Sequence, residues 1–172
     1  MDYQAKRRVR LADASSGQQE VAPLMLLLLW LCSPEFQAVK FPWWICIEEP
    51  ESHIFPTAQR QLVELLVRIQ HKCGHRFILT THSPYVLTVL NNMIMADTVV
   101  KEKPSSAASV EALVPRGMHL CYEKVRAYQI NKGRAITIAD NDTRLIGADL
   151  IDSVSSDLAK VFDRLMEISL GD

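Results

Sequence analysis

The stretch Trp43-Trp44-Ile45-Cys46-Ile47-Glu48-Glu49-Pro50-Glu51 decides the fold. Its first five residues are apolar, rich in β-formers, and show no polar alternation. Such a run suits a strand buried on both faces, the position strands take in a parallel sheet. It stops at two adjacent carboxylates and a proline. In open α/β sheets, ligands bind at the carboxyl ends of the strands. The pattern therefore predicts that Glu48 and Glu49 stand at that edge.

Toward the C-terminus, residues 57–72 carry Leu62, Leu65, Leu66 and Ile69 at helical spacing, and Gly74 ends that helix. Residues 76–80 (RFILT) form a second buried strand. Thr81-His82-Ser83-Pro84 is a turn, and residues 85–91 form a short helix with Pro84 near its start. Toward the N-terminus, Ser15, Ser16 and Gly17 precede a helix over 18–32, with the serines placed to cap it. That helix is apolar nearly all round after Val21, which predicts burial on most sides. The order strand, helix, strand, helix predicts an α/β fold with parallel strands. Beyond it, residues 101–117 hold two prolines and three serines and read as an exposed loop. Residues 125–130 and 134–139 alternate across Asn131-Lys132-Gly133 as a hairpin. Residues 149–168 read as an amphipathic C-terminal helix.

Composition narrows the function. The 172 residues hold 19 Lys and Arg against 20 Asp and Glu, a net charge of −1, which argues against a strongly basic nucleic-acid module. With 48% hydrophobic residues there is ample material for a core. The longest apolar run, residues 21–32, contains a proline and falls short of the ~20 residues that a membrane span needs. The N-terminal segment MDYQAKRRVR has no apolar signal core. The four cysteines, at 32, 46, 73 and 121, form no C-x-x-C pair. Cys32 and Cys46 read as small hydrophobes, and free thiols fit a cytoplasmic setting. The cluster Lys6, Arg7, Arg8 and Arg10 reads as a solvated face, with a phosphate or nucleic-acid contact as the lesser reading.

Three constellations carry chemistry. Of the paired glutamates, one can hold Mg²⁺ and the next can orient or deprotonate an attacking water. The turn Ala14-Ser15-Ser16-Gly17-Gln18 at a helix N-terminus offers N–H donors and a positive dipole end to an anion, although a plain helix cap explains the same residues. His82, just past a strand, can touch a phosphate or position a water, although a lone histidine is more often structural. A fourth candidate, Asp140-Asn141-Asp142, is an Asp-x-Asp metal pair set against a plain polar loop.

The order of these features resembles the C-terminal half of an ABC-type ATPase head, of the soluble OLD/RecF/SMC-like group of AAA-type P-loop NTPases. The resemblance covers about residues 11–92. It makes residues 14–18 the signature motif, with Ser15, Ser16, Gly17 and Gln18 binding nucleotide. It makes residues 45–49 the Walker B strand, with Glu48 on the metal and Glu49 as catalytic glutamate. Pro50-Glu51-Ser52-His53 becomes the D-loop and His82 the switch histidine. It implies a partial P-loop NTPase sheet flanked by helices, with ATP and Mg²⁺ as cofactors. Residues 1–100 would form this half-head, 101–118 a loop, and 119–172 the hairpin and helix of the same domain.

One element of the family is absent from the sequence. A P-loop reads G-x-x-x-x-G-K-[ST], and none of the six glycines, at 17, 74, 117, 133, 147 and 171, precedes a lysine. The expectation is therefore the back half of a head that works as a homodimer, with a complementary chain carrying the P-loop, or with a missing N-terminal half of a longer chain, and that does not hydrolyse ATP alone. The alternative is a non-catalytic interaction or regulatory module that keeps the ATPase fold. A metal-dependent nuclease needs more acidic ligands than the tail offers. Nucleic-acid binding is left open by the residues.

Overall fold

The computed structural model describes residues 9–37, 41–147, 161, 165 and 166. The chain divides into two compact units, Met1–Thr81 and His82–Asp172.

The first unit is built around β1 (Trp44–Glu48) and β2 (Arg76–Thr80), which pair in parallel with Trp44 opposite Arg76 and Glu48 opposite Thr80. Helix α1 (Ser16–Leu31) precedes them, followed by a single turn, α2 (Pro34–Gln37). Helix α3 (Pro56–Cys73) makes the crossover. Pro56 occupies the first turn of α3, where a missing N–H costs nothing, and Gly74 caps the other end in the left-handed conformation at φ 71°. One face of the sheet is covered. Ile45, Ile47, Phe77 and Leu79 pack under Leu28 and Leu31 of α1 and under Leu66 and Ile69 of α3. His75, buried just before β2, accepts a hydrogen bond from the Trp43 N–H at its Nδ1, 3.3 Å away, and so fixes the start of β1.

Two expectations need correction here. The run at 43–47 is not buried on both sides: along β1 and β2 exposed and half-buried residues alternate, and Trp44 is 62% exposed and Ile78 48% exposed. Helix α1 is likewise not buried on most sides. Leu28 and Leu31 are buried, whereas Leu26, Leu27, Leu29 and Trp30 are exposed, because only one stripe of the helix meets the sheet and α3. Among the described residues this sheet has only two strands.

In the second unit the helix expected to end at Asn91 runs on as α4 (Pro84–Glu102). The Asn91 amide explains the difference. It donates to the Ile146 carbonyl and accepts from the Ile146 N–H, both at 2.8 Å, so the polar residue that looks like a stop is a tertiary clasp. The loop expected over 101–117 is also partly helical: a 3₁₀ turn at Pro104–Ser106 leads into α5 (Ala107–Leu113). The hairpin forms as β3 (Tyr128–Asn131) and β4 (Arg134–Thr137), with Lys132 and Gly133 at φ 47° and 76° making the two-residue turn whose twist suits the strands. A second pair, β5 (Ala139–Asp140) and β6 (Leu145–Ile146), packs Ile146 against Leu87 and Ile94 of α4. Most of the amphipathic helix read at 149–168 lies outside the described residues, apart from Val161, Leu165 and Met166, which are helical. Of the N-terminal basic cluster, Lys6, Arg7 and Arg8 also lie outside them, and Arg10 is paired to Asp13 at 2.7 Å.

Candidate functional site

The paired glutamates stand at the carboxyl end of β1. Glu48 is its last residue and is exposed. The N–H of Glu49 donates to both the carbonyl and the hydroxyl oxygen of Thr80, each at 3.1 Å, which continues the ladder one residue past the strand. Glu49 then turns the chain with φ 40°, a left-handed conformation that a non-glycine residue adopts at a cost. Its carboxylate accepts from the Ser52 hydroxyl at 3.2 Å, and its carbonyl accepts from the Ser52 N–H at 3.0 Å. Side chain and backbone of Glu49 are thus held from the same turn.

A second carboxylate anchors that turn from below. Glu51 is only 3% exposed and accepts a short hydrogen bond from the Thr81 hydroxyl, which ties the exit of β1 to the exit of β2. Gln59 of α3 donates to the carbonyls of Glu51 and Ile54, at 3.4 and 3.1 Å, and fastens the far side of the loop. The sequence gives Glu51 no role beyond its place in the D-loop-like stretch, and its only signal is a carboxylate directly after a proline in a turn.

The turn at 14–18 closes on the same loop. Gly17 is buried, and a Cβ there would lie 2.3 Å from the His53 carbonyl oxygen, so only glycine permits this approach of helix and loop. Glu20, one turn further along α1, meets His53 Nδ1 at 3.0 Å. The Glu20 carboxylate, through its hydrogen bond and its charge, raises the His53 pKa above the ordinary 6.5. His53 itself has φ 58°. The Glu20–His53 link was not read from the sequence, in which the two residues are 33 positions apart.

The structure therefore brings Gly17 and Glu20 of the first turns of α1 to the loop that carries Glu49, Ser52 and His53. Ser15 and Gln18 engage each other in a capping box: the Ser15 hydroxyl accepts from the Gln18 N–H at 3.4 Å, and the Gln18 side-chain Oε1 accepts from the Ser15 N–H at 3.1 Å. The plain reading of these two side chains as a helix cap is thus realised. Ser16 is exposed in the first turn. His82 is exposed, is the first residue of the second unit, and directly precedes Ser83, the N-cap of α4.

For Mg²⁺, the donor set at the strand end fits a largely hydrated ion held by one hard carboxylate oxygen, Glu48, and does not fit an all-protein cage. Among the described residues no group of three or more His, Cys, Asp and Glu comes together as a metal site. Asp140-Asn141-Asp142 adopts the loop reading. Asp140 accepts from the Thr143 hydroxyl and the Asp142 N–H, both at 2.8 Å, and from the Thr143 N–H at 3.3 Å, which lowers its pKa, while Asn141 accepts from the Tyr122 hydroxyl. Among the described residues no helix is long and apolar enough to cross a membrane.

Comparison with known proteins places this geometry in context. A family model described as AAA domain, putative AbiEii toxin, Type IV TA system matches residues 1–88 of the 172. That span takes in the signature-like turn, both parallel strands, the glutamate pair and His82. No curated protein and no solved structure matches the chain significantly.

Proposed function

The chain belongs to this AAA-domain family, and from that premise we propose that its first unit is the Walker B and signature half of a soluble, OLD-like, ABC-type ATPase head. The observation that carries the proposal is the strand end. Two glutamates leave a parallel strand, the second is oriented by Ser52 and Thr80, and Gly17 seats the helix of the signature-like turn on the same loop. In this reading Glu48 holds the Mg²⁺ that accompanies ATP. When bound, the ion neutralises charge on the phosphates. Glu49 holds the attacking water and accepts its proton; the Ser52 hydroxyl keeps that carboxylate aimed. Ser16 and the N–H groups at the start of α1 present a positive dipole end to a phosphate. Ser15 and Gln18, joined to each other in the cap, act by shaping that N-terminus.

No G-x-x-x-x-G-K occurs in these 172 residues, so the main phosphate clamp comes from outside them, from a complementary chain or from an N-terminal half of the head. The exposed face of the β1–β2 pair, which has only two strands among the described residues, supports this, since parallel sheets are normally covered on both faces.

Equilibrium binding of a fluorescent ATP analogue to the purified chain, with and without Mg²⁺, tests the site together with a turnover assay. The expected result is weak, Mg²⁺-dependent binding that Glu48→Ala reduces about tenfold or more, with no turnover by the chain alone. Turnover lost in Glu49→Gln would show that the chain needs no outside clamp. Binding indifferent to both Mg²⁺ and Glu48→Ala would favour the non-catalytic interaction module.

A further inference from the structure

Cys32 and Cys73 are 41 positions apart in sequence, yet their sulfur atoms lie 3.5 Å from each other. Cys32 is the C-cap of α1 and Cys73 the last residue of α3, so the pair joins the ends of the two helices that cover the sheet. Both are free thiols and both are half-buried, packed against the cluster of Leu28, Leu31, Leu66 and Ile69. Cys73 also lines an open cavity of about 460 Å³ together with Phe36, Phe41 and His75, which gives a small molecule a route to the Cys73 sulfur. Cys46 is exposed on β1, and Cys121 belongs to the other unit.

We propose that Cys32 and Cys73 are a reversible dithiol–disulfide pair, oxidised by low-molecular-weight disulfides, that staples α1 to α3. The Cys73 S–H donates to the Cys32 sulfur. Burial and the neighbouring Cys32 push the Cys73 thiol up to about 11, so exchange quickens as pH rises. Cys73, which lines the cavity, gives its proton to water and attacks one sulfur of the external disulfide. The S–S bond breaks, a thiolate leaves, and a mixed disulfide forms on Cys73. Cys32 then gives its proton to water and attacks the Cys73 sulfur, expelling the second external thiolate. Two protein thiols are oxidised and one external disulfide is reduced to two thiols. The closed loop spans residues 32 to 73 and contains β1, Glu48, Glu49 and all of α3. Oxidation therefore removes chain freedom from the unfolded state of this segment.

The experiment incubates the purified full chain with oxidised glutathione under native conditions, counts thiols after denaturation, and maps the peptides without reduction. Four thiols fall to two, the linked peptide joins Cys32 to Cys73, the melting temperature rises by on the order of 10 °C, and dithiothreitol reverses all three changes. Four thiols remaining, a glutathione adduct that persists on either cysteine, or a cross-link through Cys46 or Cys121 would each overturn the proposal. Cys32→Ser is expected to abolish both the linked peptide and the thermal shift. The mapping on unsubstituted protein decides the matter even where that variant folds poorly.

Discussion

A methyl group at Gly17 would meet the His53 carbonyl oxygen at 2.3 Å, with Ile54 Cγ2 at 3.0 Å. The obstacle at 2.3 Å is backbone, so it cannot swing aside as the tip of a side chain would. Gly17→Ala should destabilise the protein by about 1–3 kcal/mol, the usual range for overpacking. Chemical denaturation measures this, and a variant as stable as the parent would show that the helix does not sit on the loop. Beside it, His53 reports the same contact through its proton. Its folded-state pKa is raised by Glu20, so the contact contributes fully below the ordinary histidine value of 6.5 and is lost as pH rises through the folded value. In an NMR titration, Glu20→Gln should return the His53 pKa to the ordinary value; an unchanged titration would remove Glu20 as the cause. Neither contact was legible in the sequence. The serines beside Gly17 announce a helix start, but what the glycine touches depends on how the chain returns 36 residues later.

Elements with strong local signals were easiest to read. Strand β2 falls on the residues expected for it, and α3 is bounded by Pro56 and Gly74, where proline and glycine punctuation places its ends. Helix α4 runs past the end that its sequence predicts, because Asn91 and Asn92 interrupt its apolar pattern and the partner of Asn91 lies 55 positions away. Pro104 and the serines after it read as loop residues, yet a proline in a first turn is compatible with helix. The burial of α1 was overestimated for a different reason: an all-apolar helix gives no periodic sign of which side packs. A matched pair of substitutions separates its faces from the core. Leu66→Ala, in the buried cluster under the sheet, should cost about 2–5 kcal/mol. Leu29→Ala, at a residue 64% exposed, should fall within about 0.5 kcal/mol of the parent. Comparable losses for both variants in thermal or denaturant unfolding would mean that the outer face of α1 is covered in solution.

At the scale of the whole molecule, the feature that bears most on behaviour is the uncovered face of the β1–β2 pair. Trp44 and Ile78 stand on it, and the Arg76 guanidinium lies 5.0 Å from the centre of a Trp44 ring. The sequence showed that these strands are apolar, but it could not show that the described chain supplies helices to one face only. Apolar surface of this kind drives association, so light scattering should find an apparent mass that rises with concentration, and Ile78→Lys should suppress the rise. A parent chain that stays monomeric at high concentration would argue against a contact through this face. The left-handed turn at Glu49 also bears on the whole protein. Glycine would sit there with less strain, and would take away the carboxylate that Ser52 orients. Selection for heat tolerance alone would favour that exchange, and selection for the role proposed for Glu49 would oppose it. A library screened only by survival at high temperature is therefore expected to lose the carboxylate proposed to act at position 49.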